Sequence, residues 1–311
     1  MSRAARTATA AALLTLLGVL PSCASASGTA SRSALGQEAY VATGASGSDP
    51  GTNLVAVDLP DRTVGRPVAV DTPSVLTGQA ATEPAGLAST PDGRTMVVTA
   101  RAADQVLTVD TTTGRTVGRT TSRGVEPDAV AVTPDGTTAL VANFGSGTVT
   151  PLTLTGAIPH AGTPIPVGSE PDAVAVTPDG TTALVANFGS DTVTPLTLTG
   201  AIPHAGTPIP VGTPPPAIAV TPDGTTAWIA GGIGLVPVAV STAQVGAAIG
   251  TASPAEAVAL APGPTGGTPA TAWVATQNGK LVPVDLATKV VGSPIAIGGR
   301  PSALLIPPPR R

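Results

Sequence analysis

Cysteine, histidine and aromatic residues are scarce in this sequence. Its 311 residues include one cysteine and two histidines, and aromatic residues make up 2% of the chain. A single cysteine excludes an internal disulfide and a cysteine-rich metal site. With so few aromatic rings, any core has to be assembled from Ala, Val, Leu and Ile packed between layers.

Charged residues are also few, at 11% of the chain, and the sole adjacent basic pair is Arg310 and Arg311. Without Arg3 and Arg6, which lie in a predicted signal peptide, 13 basic and 19 acidic side chains give a net charge of −6. Nucleic acids and anionic membranes are therefore poor partners. Motifs of serine hydrolases, zinc proteases, redox dithiols and phosphate loops are all missing from the sequence. We predict no catalytic residue, no metal and no cofactor.

What the chain has in abundance is repetition. Residues 126–168 recur as residues 170–212, with Gly147 replaced by Asp191 as the one difference. The tetrapeptide Thr-Pro-Asp-Gly marks the period, beginning at Thr90, Thr133, Thr177 and Thr221. A unit of about 44 residues with four short strand-like runs has the length of one β-propeller blade.

Within the second clean repeat, the pattern predicts antiparallel strands at residues 172–176, 182–186, 192–198 and 208–211. Thr-Pro-Asp-Gly then forms a hairpin turn between the first two strands, because proline presets φ and glycine accepts the left-handed conformation. The aspartate bonds locally to the backbone in such a turn. We therefore favour a turn-forming role for Asp92, Asp135, Asp179 and Asp223 over a metal or ligand role.

These repeats predict an all-β fold, a single β-propeller of about six four-stranded blades over residues 40–306. First strands begin at Pro84, Pro127, Pro171, Pro215, Ala255 and Pro301. The last repeat is incomplete, and residues 40–43, 53–59 and 66–70 resemble the strands that it lacks. We expect the ring to close by pairing N- and C-terminal strands in one blade, which protects otherwise open sheet edges. Seven blades are the alternative, with the extra material in residues 71–82, which we interpret as a long loop.

Residues 1–22 are predicted to be a secretory signal peptide, since two arginines precede the apolar run at residues 8–20. Cys23 follows Leu20-Pro21-Ser22, which resembles a bacterial lipobox and implies lipid attachment to Cys23. Pro21 departs from that pattern, and an ordinary cleavage site at residues 24–26 would discard the cysteine. Both alternatives place the mature protein outside the cytoplasm, lipid-anchored or secreted. Residues 23–39 are predicted to be a flexible tether and residues 307–311 a solvated tail.

Four short segments follow a Thr-Pro-Asp-Gly or its remnant, and they resemble the YVTN family of β-propeller repeats. These segments are YVAT at residues 40–43, LVAN at 140–143 and 184–187, and WVAT at 273–276. The resemblance covers nearly all of residues 40–306. It implies an extracytoplasmic propeller, often of seven blades, and brings no shared catalytic residues.

Propeller topology sorts the connections onto two faces. Connections from the second to the third strand, and from the fourth strand to the next blade, share one polar and acidic face that also holds Arg101 and Arg300. Binding surfaces usually lie where loops vary on a rigid scaffold. We therefore predict ligand contacts from Asp128, Asn143, Phe144, Asp172, Asn187, Phe188, Asp191 and Glu256. The opposite face is expected to hold the Thr-Pro-Asp-Gly turns and third-to-fourth loops with His160 and His204.

Several of these residues also have structural interpretations. The two phenylalanines serve either as anchors for a partner or as packing between adjacent loops. Asn143 and Asn187 are expected to bond to backbone groups where a strand becomes a loop. Asp128 and Asp172 are expected to bond the backbone of the neighbouring blade.

The leading functional hypothesis is a monomeric, non-enzymatic scaffold that binds a protein or a cell-envelope component through this face. The alternative is a lactonase-like or lyase-like enzyme with a site at the mouth of the central channel. The sequence identifies neither the ligand nor a substrate.

Overall fold

A computed structural model describes residues 38–44, 52–58, 63–64, 68–70, 84–113, 115–156, 158–200, 202–261 and 271–306. Six antiparallel sheets account for almost all of the regular structure in these residues, so the all-β prediction is confirmed. The predicted signal peptide, Cys23, the tether, the loop at 71–82 and the tail at 307–311 lie outside the described residues. In the described part of the chain, no helix is long and apolar enough to cross a membrane.

The six sheets follow one another along the chain. Sheet 1 contains β1 (Glu38–Gly44), β2 (Thr52–Asp58), β3 (Thr63–Val64), β4 (Val68–Val70) and β26 (Arg300–Leu305). Sheet 2 contains β5 (Pro84–Ser89), β6 (Thr95–Ala100), β7 (Gln105–Asp110) and β8 (Thr116–Thr121). Sheet 3 contains β9 (Pro127–Val132), β10 (Thr138–Asn143), β11 (Thr148–Thr153), β12 (His160–Ala161) and β13 (Ile165–Pro166).

The second half of the chain repeats this plan. Sheet 4 contains β14 (Pro171–Val176), β15 (Thr182–Asn187), β16 (Thr192–Thr197), β17 (His204–Ala205) and β18 (Ile209–Pro210). Sheet 5 contains β19 (Ala217–Val220), β20 (Thr226–Gly231) and β21 (Gly234–Ala239). Sheet 6 contains β22 (Ala255–Ala261), β23 (Thr271–Thr276), β24 (Lys280–Asp285) and β25 (Ile295–Ala296). Two short 3-10 turns, Arg101–Ala103 and Phe188–Ser190, follow β6 and β15.

The predicted strands agree with the first three strands of sheet 4 to within a residue, but the fourth strand differs. The sequence predicts one run at residues 208–211, whereas the structure has two short segments, β17 and β18, that pair with different parts of β16. Between them the Gly206 N–H donates to the Pro195 carbonyl at 2.7 Å. Pro195 lies within β16 and has no N–H to donate, which interrupts regular pairing at that point.

Sheet 5 departs further from the predicted four strands. It has three strands in the described residues, and isolated bridges that join Leu235 to Ile249 and Val238 to Val245 take the place of the fourth. His160 and His204 lie between the third and fourth strands at the end of the sheet that holds the Thr-Pro-Asp-Gly turns, as predicted, but in short strands and not in a loop. They belong to β12 and β17, where they pair with Thr153 and Thr197, and both side chains are exposed.

The two ends of the described chain meet in sheet 1. Strand β26 pairs antiparallel with β1, from Tyr40 opposite Leu305 to Gly44 opposite Arg300. The order β26, β1, β2, β3 makes the last strand of the chain the first strand of this sheet. Because residues 71–83 are not described, the number of blades and the closure of the complete ring stay predictions.

Neighbouring sheets pack face to face, and their interfaces are the core. Leu184 and Val193 of sheet 4, for example, pack against Ile229 and Val236 of sheet 5, and all four are buried. Similar clusters join sheets 2 and 3, sheets 3 and 4, sheets 5 and 6, and sheet 6 to β26. Small aliphatic side chains predominate throughout these clusters, as the lack of aromatic residues predicts.

Each Thr-Pro-Asp-Gly segment forms the predicted hairpin turn. In the turn at Asp179, the Thr177 hydroxyl donates to the carboxylate at 2.5 Å and the Thr181 N–H donates to it at 3.0 Å. Gly180 has φ of 71°, in the left-handed region that glycine favours. The same bonds recur at Asp92, Asp135 and Asp223.

These turns predict that the protein loses stability in acid. The threonine hydroxyl, and then the backbone N–H two residues after each aspartate, hold the pKa of the four carboxyls below the ordinary value of 3.8. A lowered pKa in the folded state contributes stability above the unfolded pKa, and this contribution is lost as the pH falls through the folded pKa. Urea denaturation should therefore show a midpoint that falls as the pH drops below about 4. Asp179→Asn should make this loss shallower, and an unchanged slope would contradict the assignment.

Candidate functional site

The pairing registers define two ends for every sheet. In sheet 3, Asn143 lies opposite Pro127 and Thr148 at one end, and Ala139 lies opposite Val132 at the other. We call the first end the loop face; in sheets 2 to 4 it comprises residues 101–104, 122–128, 143–147, 167–172 and 187–191. The opposite end, with the Thr-Pro-Asp-Gly turns, is the turn face. All eight predicted ligand residues lie at the loop-face end of their sheets.

Arg101 joins sheets 2 and 3 at this end. Its Nη2 donates to Glu126 Oε2 at 2.7 Å, and its Nη1 donates to Asp128 Oδ1 at 2.9 Å. Its guanidinium carbon lies 4.7 Å from the centre of the Phe144 ring. We call Glu126, Asp128 and Phe144 the Arg101 cradle, since two carboxylates and an aromatic face surround one guanidinium.

A β-bulge places Asp128 in this cradle. Strand β9 pairs with β10 so that Ala129 lies opposite Ala142 and Pro127 lies opposite Asn143, which leaves Asp128 as the additional residue. Bulges redirect a side chain out of the regular alternation. Asp128 is 0% exposed, although the sequence predicts it to be a surface ligand residue. It reaches the neighbouring sheet, where its carboxylate pairs with the Arg101 side chain.

The electrostatics of Arg101 agree with this geometry. Burial works to lower its pKa, but the charges of Asp128 and Glu126 and their hydrogen bonds outweigh burial, so the pKa of Arg101 is raised above its ordinary value. The arginine stays charged at any pH that proteins meet. The carboxylate of Asp128 is thus compensated by a permanent positive charge below the surface.

A second ion pair joins sheet 6 to β26. Arg300 Nη2 donates to Glu256 Oε1 at 2.7 Å, and Gln277 Nε2 donates to the same oxygen at 2.9 Å. Glu256 lies at a β-bulge between Ala255 and Ala257, which matches the position of Asp128 in sheet 3. Two of the predicted acidic ligand residues are therefore engaged by arginines of this chain.

Asn143 and Asn187 are buried beneath the loop face, at the ends of β10 and β15. Both are fully buried, so the prediction that they face a ligand on the surface is wrong. The Asn143 Nδ2 donates to the hydroxyls of Thr148 and Thr150, and the Asn187 Nδ2 donates to those of Thr192 and Thr194. The predicted backbone bonds are replaced because threonines of the adjacent third strand present their hydroxyls to these amides. The Oδ1 atom of each asparagine is buried without a hydrogen-bond partner.

The remaining predicted residues lie closer to solvent. Asp172 and Phe188 are half-buried, and Asp191 is exposed. Asp191 ends a 3-10 turn with φ of 56°, and Gly147 has φ of 63° at the same place in the preceding repeat. Phe144 stacks on Arg101 of the neighbouring loop, which agrees with the packing interpretation of this phenylalanine.

One property of the sequence bears on this face and was not used to predict it. Residues 124–255 contain no lysine and no arginine, so all 15 basic residues of the chain lie outside this segment. The same segment carries eight acidic residues: Glu126, Asp128, Asp135, Glu170, Asp172, Asp179, Asp191 and Asp223. Sheets 3, 4 and 5 thus carry acidic charge alone, and counting charges by repeat would have detected this.

No group of three or more His, Cys, Asp or Glu side chains within the described ranges could hold a metal ion. The two histidines lie on the outer strands β12 and β17, away from both ion pairs.

No protein-family model matches this sequence, and no curated protein matches it. Several solved structures are similar. The hydrazine synthase of Kuenenia stuttgartiensis is 24% identical, with a TM-score of 0.60 over 68% of this chain and 66% of that chain. A functionally unknown protein from Desulfotomaculum acetoxidans is 17% identical, with a TM-score of 0.63 over 86% and 88% of the two chains. The dihydro-haem d1 dehydrogenase NirN is 17% identical, with a TM-score of 0.59 over 86% and 55%.

These similarities show the fold and nothing finer. The neighbours are propeller-type proteins, which confirms the β-propeller class, while no comparison shows membership of the YVTN family. They include enzymes as well as a protein of unknown function. The shared fold therefore does not decide between a scaffold and an enzyme, and it does not identify a ligand.

Proposed function

We propose that this chain is a non-enzymatic β-propeller scaffold that acts outside the cytoplasm and binds a protein or a cell-envelope ligand through its loop face. The observation that carries the proposal is the charge of sheets 3 to 5. Residues 124–255 contain no lysine or arginine, and four acidic residues of the loop face, Glu126, Glu170, Asp172 and Asp191, are exposed or half-buried. A face of one sign attracts a partner of the other sign and speeds its association.

The location and attachment belong to the same proposal. The segment before Cys23 has the charge and apolar pattern of an export signal, and a lipid on Cys23 would tether the propeller to a membrane. The Ser- and Ala-rich residues 24–39 would then hold the propeller away from the membrane surface. In this arrangement the loop face is free to meet a partner.

Site-specific photo-cross-linking in the cells that produce the protein tests the face. A benzoylphenylalanine at Val125, which is 51% exposed on the loop face, should give a discrete cross-linked adduct. The matched control is benzoylphenylalanine at Ile202, which is 75% exposed at the turn-face end of sheet 4. We expect an adduct from Val125 alone, and for it to weaken at high salt because the contact is electrostatic. Adducts from Ile202 alone, or from neither position, would overturn the proposal.

A further inference from the structure

A cavity of about 380 Å³ opens at the turn face, between sheets 2 and 3. It is lined by Asp92 and Asp135 of two Thr-Pro-Asp-Gly turns and by the apolar side chains of Val117, Leu154 and Pro159, among others. Pockets that hold small molecules in proteins measure about 300–1,000 Å³. We call this space the turn-face cavity, and it has room for a small molecule.

Contact between two turns brings the carboxylates to this cavity. A Cβ added to Gly136 would lie 3.1 Å from Pro91 Cδ, so the turn of sheet 3 packs against the turn of sheet 2. Asp92 follows Pro91 in the chain, and Asp135 precedes Gly136. Both aspartates are exposed, and they therefore lie at the mouth of the cavity.

The Asp92 carboxylate keeps acceptor capacity that the turn of sheet 3 uses. Its Oδ1 accepts both turn bonds, from the Thr90 hydroxyl at 2.5 Å and from the Arg94 N–H at 3.1 Å. In sheet 3 the Thr137 hydroxyl also donates to Asp135 Oδ2, at 2.9 Å. Arg94 occupies the place of Thr137 in sheet 2, so this hydroxyl is missing there. Within the described ranges, Asp92 Oδ2 accepts no hydrogen bond.

Thr108 lines the same cavity from the third strand of sheet 2. It lies opposite Val97 in the pairing of β6 with β7, and Val97 packs against Val130 and Val141 of sheet 3. Because directly opposite residues share one face of an antiparallel sheet, the Thr108 side chain is also directed toward sheet 3 and the cavity. Thr108 is 4% exposed, and in the part of the chain that the structure describes its Oγ1 is buried without a hydrogen-bond partner.

An unpartnered hydroxyl in the lining of a cavity favours a ligand. A buried polar group without a hydrogen bond is unfavourable, and each such group in a folded protein calls for a physical reason. A change of χ1 rotamer exchanges the hydroxyl and the methyl group of a threonine. The Thr108 hydroxyl can thus turn to a polar group in the cavity and gain the hydrogen bond that it lacks.

The cavity lies where sheet 2 differs from the sheets that follow it. The residue pair Val97 and Thr108 is replaced in sheets 3 to 6 by a larger residue paired with a proline. These pairs are Leu140 with Pro151, Leu184 with Pro195, Trp228 with Pro237 and Trp273 with Pro283. Because the pair in sheet 2 is smaller, it fills less of the space between neighbouring sheets.

Three features of the turn-face cavity define its ligand. Ionised carboxylates only accept hydrogen bonds, so the ligand has to donate. Arg94 already interacts electrostatically with Asp92, which makes a neutral donor more suitable than a second cation. The Thr108 hydroxyl is buried while both carboxylates are exposed, so the ligand needs polar groups on two sides of an apolar centre. A pyranose sugar has this form, since hydroxyls surround a ring whose faces carry C–H groups.

We propose that the turn-face cavity binds a pyranose sugar. Hydroxyls of the sugar donate to the carboxylates of Asp92 and Asp135, and a hydroxyl on the other side of the ring bonds to Thr108. The C–H groups of the ring pack against Leu154 and Pro159. The site lies on the face opposite the loop face, so this binding function is additional to the proposed one.

Saturation-transfer difference NMR with the full chain tests the inference. The probes are the methyl pyranosides of glucose, mannose, galactose and N-acetylglucosamine, each beside its free sugar, and n-butylamine as a small cation. We expect signals from the ring protons of at least one sugar and none from n-butylamine. Binding of a free sugar without its methyl glycoside would identify a free sugar as the ligand, whereas binding of the glycoside fits the terminal unit of a glycan; both results support the site.

Variants place the sugar in the cavity. Asp92→Asn should weaken binding by about tenfold, and Thr108→Val by about fivefold. Thr108→Val should leave the urea midpoint unchanged or raise it, because the hydroxyl that it removes has no hydrogen bond in the protein without ligand. Asp179→Asn is the matched control, since it makes the same change in the turn of sheet 4, which does not line this cavity. It should change the affinity by less than about twofold.

Three outcomes overturn the inference. Absence of a signal from every sugar would mean that the cavity does not bind this class of ligand. Sugar signals that Asp92→Asn and Thr108→Val leave unchanged would place the sugar elsewhere on the protein. Signals from n-butylamine alone would show simple charge pairing with the aspartates. The photo-cross-linking at Val125 is independent of all three, so the proposed function and this inference are tested separately.

Discussion

Replacing Arg101 by alanine should lower the free energy of unfolding by about 3–5 kcal/mol, the range found when one partner of a buried ion pair is removed. The reason is that Asp128 is 0% exposed and would lose the guanidinium that pairs with it at 2.9 Å. A carboxylate held in a poorly hydrated place without its countercharge is unfavourable in the folded state alone. Urea denaturation followed by circular dichroism measures the change.

Two further variants make this prediction specific. Arg115→Ala removes an exposed arginine from the same sheet and should change the stability by less than about 0.5 kcal/mol. Adding Asp128→Asn to Arg101→Ala should restore part of the loss, because the buried negative charge is then gone. If Arg101→Ala is no more destabilising than Arg115→Ala, the ion pair is not a stabilising element of the interface.

The second large effect is expected in the aliphatic core. Leu184→Ala should cost about 2–5 kcal/mol, because the side chain is fully buried between sheets 4 and 5 and a cavity would remain. The neighbouring side chains adjust little to fill the space, since the interface consists mainly of valine and isoleucine, which are stiff at χ1. Chemical denaturation again gives the measurement.

The repeat supplies an internal comparison for this prediction. Leu140 occupies the same place in the preceding repeat and is also 0% exposed, so Leu140→Ala should give a loss of similar size. Ile202→Ala, at an exposed position, should give a change below about 0.5 kcal/mol. A small effect at Leu184 would mean that the sheets can move together to fill the cavity.

The architecture was predictable because its signals are local and repeated. Thr-Pro-Asp-Gly marks each hairpin, and the bonds at Asp179 are the ones that turn chemistry predicts. Short runs of β-branched or small apolar residues predicted the first three strands of sheet 4 to within a residue. The split fourth strand was missed because Pro195, on the neighbouring strand, interrupts its pairing, and strand propensity does not report on a neighbour.

The candidate site was less predictable because its contacts join different sheets. Asp128 was expected on the surface, and the bulge that turns it under Arg101 depends on how β9 pairs with β10. Asn143 was expected to bond backbone, but its partners Thr148 and Thr150 follow from the register of β11. Such contacts depend on three-dimensional pairing. The lack of lysine and arginine in residues 124–255, by contrast, needed no structure to be seen.

The pairing of β26 with β1 also determines the order in which the protein can be completed during synthesis. Strand β1 is translated before sheets 2 to 6, whereas its partner from Arg300 to Leu305 is translated after them. Until then sheet 1 has an open inner edge, while sheets 2 to 6 can each form from contiguous segments. Sheet 1 is thus the last to be finished, and a nascent chain stalled before residue 300 would expose β1 to the strands of other chains.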